Sequence, residues 1–246
     1  RFQTFTEDLF RRELAGNTLN LHYTLADPAS YGIDDYPITL GTMDSASWNA
    51  ASMQAENYLS VLGQFSREEL SPENQLTYDV LTDYLNTSQE GAGFYLYEEP
   101  LSPTLGIQAQ LPVLLAEYTF RTKKDIEDYL QLLATIPEYF QSIIDFEKQK
   151  AAAGLFMSDT CVNDILRQCD SFVKSGDDNY LRQLFDDQID SFTNLTIDEK
   201  ISYKQQNLDI LSAYVIPAYQ NLMTELAKLL GSGKNSGGLC HFPQGR

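Results

Sequence analysis

From Phe2 to Leu230 the apolar residues of this chain recur at spacings of three and four, the repeat of an amphipathic α-helix. Strict apolar–polar alternation, the mark of a half-buried strand, is almost absent. The spacing predicts helices over Phe2–Ala15, Ser45–Phe65, Pro72–Ser88, Thr104–Tyr118, Lys123–Ala134, Pro137–Ala153, Asp159–Lys174, Asn179–Phe192 and Thr196–Leu230. The expected fold is therefore all-α, a multi-helix bundle of about nine helices. Phe94-Tyr95-Leu96-Tyr97 is the best strand candidate, so at most a minor β-hairpin is expected near residues 94–97.

The punctuation between these segments is chemical. Ser71-Pro72 joins a capping side chain to a proline at the first helical position, where its missing N–H costs nothing. Thr196-Ile197-Asp198-Glu199 has capping-box spacing, and Thr122 and Ser158 are cap candidates. Gly16-Asn17, Gly154 and Gly231 read as helix stops, and Ser175-Gly176-Asp177-Asp178 as a break. Pro217 lies inside the last helix and should kink it by removing one backbone bond. No fixed-period repeat is present, and the Gly91–Pro103 connector is the weakest seam in what reads as one domain over 1–246.

Composition narrows the function classes. Fifteen Tyr and 13 Phe argue against disorder, which depends on a shortage of such residues. The net charge of −18 repels phosphate backbones, and no Lys/Arg cluster offers the counterion release on which nucleic-acid binding rests. Anionic membrane surfaces are disfavoured for the same reason. No apolar run approaches the roughly 20 residues that span a bilayer.

Tests for catalytic constellations find little. His22 and His241 have no partner at the spacing of a zinc helix, and His22 reads as a packed histidine bonded to backbone. No Gly-x-Ser-x-Gly elbow is present, and Cys161 has no basic neighbour to lower its thiol pKa. Gly231-Ser232-Gly233-Lys234 follows a helix and lacks P-loop spacing. Glu98 with Glu99, and Asp186 with Asp187, could supply an acid–base pair, although charged residues more often mark solvated faces. Asn86 and Asn194 begin glycosylation triplets, but Thr196 is better explained as a cap. Cys161 and Cys169 lie about 12 Å apart along a helix, too far to pair. Cys240 could reach either one; a disulfide between Cys169 and Cys240 is the first choice, with Cys161–Cys240 and three buried, unpaired thiols as the alternatives.

Several stretches, taken in order, resemble one family. They are Leu21-His22-Tyr23-Thr24-Leu25, Pro28 with Tyr31-Gly32-Ile33, Pro100-Leu101-Ser102-Pro103 with Gly106, Ile136-Pro137-Glu138-Tyr139-Phe140, Gly154, Pro217-Ala218-Tyr219, and Gly238-Leu239 with Pro243 and Gly245. The set is similar to the first half of the bacterial domain-of-unknown-function family 885, whose members are often exported or lipid-anchored. That family is related to helical zinc carboxypeptidases, and its second half carries a His-Glu-x-x-Pro-Gly-His helix that would hold zinc. No such motif occurs in these residues, so no catalytic, cofactor-binding or metal residue carries over.

The resemblance implies the non-catalytic N-terminal helical half of a metallopeptidase-like protein, one wall of a peptide cleft. Its partners would be the missing C-terminal half, with the zinc, and peptides. Its place would be extracellular or at the cell surface, lipid-anchored through a removed N-terminal segment. The end at Arg246 fits trypsin-like trimming of a longer protein, and a designed boundary or chance would do as well. The alternatives are a stand-alone cell-surface module for peptides or glycans, and an enzyme built on paired carboxylates.

Overall fold

The structure is a computed structural model, and it describes residues 1–174, 179–234 and 237–245. The break expected at Ser175–Asp178 and the terminal Arg246 lie outside the described residues. Among those described there is no strand. The helices are α1 (Phe2–Ala15), α2 (Thr18–Thr24), α3 (Ser45–Leu62), α4 (Pro72–Gly91), α5 (Ile107–Ala116), α6 (Lys123–Ala153), α7 (Asp159–Lys174), α8 (Tyr180–Ser191), α9 (Ile197–Ile210) and α10 (Ile216–Ala227). A π turn over Leu211–Val215 joins α9 to α10. Counted with α9 and α10 as one rod, the described residues form nine helices, as the periodicity predicts.

The individual helices differ from the expectation in three places. Asn17 does not only end α1. Its side chain accepts from the Asn20 N–H at 3.0 Å and so starts the short helix α2, which the sequence reading lacked. Pro137 does not divide α6, which runs 31 residues without a break. A mid-helix proline costs about 3 kcal/mol. Ile136, Phe140, Ile143 and Ile144 are all buried around it, and each such side chain contributes about 1.5–3 kcal/mol. Burial therefore wins. The third correction is Phe94–Tyr97, which forms a 3₁₀ turn over Ala92–Tyr97 rather than a strand. A lone aromatic run has no neighbouring strand to satisfy its backbone, whereas i→i+3 bonds need none.

The caps follow the sequence closely. Thr122 with Asp125, and Thr196 with Glu199, form complete capping boxes. Ser71 accepts from Asn74 N–H, and Ser158 from Cys161 N–H. Gly154 ends α6 at φ +77°, a conformation glycine adopts without strain. Pro217 acts one turn upstream. Its ring opposes the carbonyl of Ala213, and that carbonyl lies inside the π turn, where wider i→i+5 bonding accommodates it.

The apolar residues collect in unequal clusters. The main core surrounds α6 and takes in α5, α7, α8, the π turn and α10. A separate, thinner core of Phe2, Ala55, Tyr58, Leu62 and Leu85 lies between α1, α3 and α4. A third cluster, Leu14, Leu21, Leu25 and Ile33, seats α2. The α3–α4 hairpin is thus an arm with its own core, joined to the body near the 3₁₀ turn. Tyr95 stacks edge-on against Phe146 at 4.9 Å, and Met43 N–H donates to Ser142 Oγ at 2.9 Å. Tyr97 also donates to the carbonyl of Pro243, folding the terminal loop back onto this seam.

Candidate functional site

A groove of about 340 Å³ runs along the α3–α4 hairpin. Helix α3 begins at Asp44, which accepts from Ser47 N–H at 2.8 Å. Hydrogen bonds from Thr42 and Ser47 hold the Asp44 carboxyl down at about 2. From that cap, Trp48, Ala51, Ser52, Ala55 and Tyr58 follow at helical spacing along one side of the groove. Tyr84, Leu85, Ser88, Gly91 and Ala92 supply the α4 side, and Glu13 reaches in from α1. The floor is made of small residues, and that is what leaves the volume. Trp48 Nε1–H donates to the Ala92 carbonyl at 2.8 Å, which fixes the indole as a rigid wall. Gln89 Nε2–H donates to the Ser52 carbonyl at 2.5 Å and ties the helices together at one end. Tyr84 is 65% exposed at the rim. Such a groove can seat an apolar side chain, and its size falls in the range of small-ligand pockets.

Two buried polar clusters lie elsewhere. His22 stacks on Tyr118 with centroids 3.5 Å apart. Its Nε2 accepts from Thr119 N–H at 3.2 Å, so its lone pair is used. Burial, then the Arg121 cation, pushes the imidazole down to about 4, against the opposing pull of Asp125 and Asp128. His22 is therefore neutral and structural, as the sequence suggests.

The second cluster lies on α6. Lys150 is fully buried and donates to the Glu98 carbonyl at 2.6 Å and to Glu99 Oε1 at 2.8 Å. Glu147, one turn away, is also fully buried, and neither carboxylate oxygen has a hydrogen-bond partner. Burial, only partly offset by Lys150 and reinforced by Glu99, pushes its carboxyl up to about 8. Sequence reasoning missed this pair because charge usually marks a solvated face. The signal was present: Ile136, Phe140, Ile143, Glu147 and Lys150 share one face at spacings of three and four.

The other sequence candidates are dispersed. Glu99 is committed to Lys150. Asp186 lies on α8 under the influence of Lys204 and Arg182, its carboxyl raised by burial. Asp187 is exposed and its carbonyl accepts from Ser191. The two acidic pairs share no partner and do not form one site. His241 is exposed in the 3₁₀ turn Leu239–His241. The expected Cys169–Cys240 bridge is not made: all three thiols are free, Cys169 buried and Cys240 exposed. Packing against the main core seals Cys169 and pushes its thiol up to about 12. Gly231 is a terminator, in the left-handed region at φ +81° with its N–H donating to Asp159 Oδ1.

Among the described residues, no group of three or more His, Cys, Asp or Glu is gathered as a metal would need. The described residues do not fit a zinc site. No described helix is long and apolar enough to cross a membrane.

No curated protein matches the chain. A solved structure, described as a "putative lipoprotein" from Colwellia psychrerythraea, has the same fold at a TM-score of 0.79 and 16% identity. The match covers 99% of this chain and 43% of that one, so this chain spans less than half the length of its structural relative. The sequence itself matches the family described as bacterial protein of unknown function DUF885 over residues 29–246, and the chain belongs to that family.

Proposed function

We propose that this chain is the non-catalytic helical portion of a larger metallopeptidase-like protein. In that protein it forms one wall of a peptide cleft and packs against further polypeptide that carries the zinc helix. The carrying observation is a pair of apolar stripes left without partners. On α4, Leu76, Val80 and Tyr84 follow at i, i+4, i+8 and are all more than half exposed. On α9, Ile197 and Ile201 are 77% and 62% exposed one turn apart. Apolar stripes of this kind mark interaction faces. The structural relative, more than twice as long as this chain, supports a larger whole. The family resemblance supports export and a cell-surface, lipid-anchored location, with a removed N-terminal segment carrying the anchor.

Carbene footprinting tests the reading. The α4 and α9 stripes should be labelled in this chain alone and protected in the longer protein encoded by the full gene. Equal labelling in both would refute it. The same α3–α4 groove would also serve a second reading, a stand-alone module that binds peptides or glycans. A stop codon directly after Arg246 in the gene would support that module.

A further inference from the structure

Resting on the peptide-cleft reading above, we infer that the α3–α4 groove selects peptides carrying a large apolar or aromatic side chain flanked by lysine or arginine. The shape argument comes from the floor. Ala51, Ala55, Ser88 and Ala92 leave room that neither hairpin helix fills, while Trp48 and Tyr58 present ring surfaces to it. Trp48 is held by its bond to Ala92, so the cavity is preformed and needs no rearrangement to open.

The charge argument comes from the rim. Between residues 45 and 91 there are seven acidic side chains and one basic one, Arg67. That guanidinium is spent on Asp79, with Nε and Nη2 each 2.6 Å from a carboxylate oxygen. Glu13 lines the groove itself, and Glu56 and Glu90 are exposed within one turn of lining residues. Arg12 belongs to the neighbouring depression, beyond Gln54 and Tyr58.

These features choose among occupants. A second copy would bring an equally acidic arm against this one, and an anionic membrane would be repelled likewise. A glycan would leave the acidic rim without a counterpart. A basic peptide with one buried apolar residue satisfies both the floor and the rim.

Trp48 is the sole tryptophan in the chain, so the groove carries its own reporter. The test titrates the whole 246-residue chain with acetyl-Lys-Phe-Lys-amide while Trp48 emission is followed. A saturable change is expected. Affinity should fall about tenfold or more as salt rises from about 20 to about 500 mM, because the rim charges become screened. Acetyl-Glu-Phe-Glu-amide and acetyl-Lys-Gly-Lys-amide should give no saturable response. Ala51→Phe fills the groove from an exposed position and should abolish binding with helical circular dichroism unchanged. Glu13→Lys should weaken the basic peptide selectively.

No response, equal response to the acidic peptide, binding that survives Ala51→Phe, or concentration-dependent dimers that Ala51→Phe abolishes would each overturn the inference. If the longer protein cleaves peptides while the groove ignores Lys-Phe-Lys, only this inference falls. If the longer protein neither binds nor cleaves any peptide, the cleft reading falls with it.

Discussion

At the scale of single residues, Glu147 is the most unusual group. It is a fully buried acid with no hydrogen-bond partner, and its carboxyl is pushed from 4.5 to about 8. The unfolded chain releases this proton near 4.5 while the folded chain keeps it to about 8, so its contribution to stability falls as pH rises through that window. The slope approaches about 1.4 kcal/mol per pH unit. Glu147→Gln, which copies the protonated acid, should remove that slope and unfold at higher urea than the wild type at pH 8. His22 acts in the opposite sense. Its folded value of about 4 lies below 6.5, so its contribution is complete above 6.5 and is lost as pH falls toward 4. His22→Gln should flatten the acid limb of a urea-midpoint profile between those values. A substitution that left the profile unchanged would show that the ring is not buried in neutral form.

At the scale of elements, capping was the most legible feature. Ser71, Thr122 and Thr196 each bond to an N–H within three residues, so short-range sequence suffices to find them. Thr196→Ala should cost about 1 kcal/mol, read from chemical denaturation, because it leaves the α9 terminus without its box. What local sequence could not show is what tertiary burial decides. Pro137 looked like a boundary, but the core on either side of it holds α6 straight through. Helix α2 was missed because seven residues are too short to form a helix without packing, and its buried Leu19, Leu21 and His22 provide that packing. Phe94–Tyr97 departs from the strand expectation because strand propensity reflects a pleated neighbour, and none is present among the described residues. The groove was equally hidden: Ala51, Ala55 and Ser88 read as ordinary helix formers until α4 is laid beside α3. The Cys169–Cys240 pairing failed for a related reason, since a mid-helix thiol facing the core is closed to an exposed loop.

At the scale of the whole molecule, a deep body around α6 carries a shallow arm formed by α3 and α4. The arm's core holds five buried residues, whereas α6 alone contributes nine to the main core. Opening free energies follow buried contact. Amide hydrogens of α3 and α4 should therefore exchange faster than those of α6, as native-state exchange by mass spectrometry would show. Uniform protection across both would contradict the division into body and arm. The same thinness suits a wall that meets a ligand, since binding surfaces come from the less stable parts of a fold.

In the proposed function, these residues scaffold peptide chemistry carried out elsewhere in a larger protein. Peptide hydrolysis, measured with and without added zinc and with a chelator, should be compared between this chain and the longer protein encoded by the full gene. No turnover is expected from this chain in any condition, and chelator-sensitive turnover is expected from the longer protein. Zinc-dependent hydrolysis by residues 1–246 alone would contradict the proposed function.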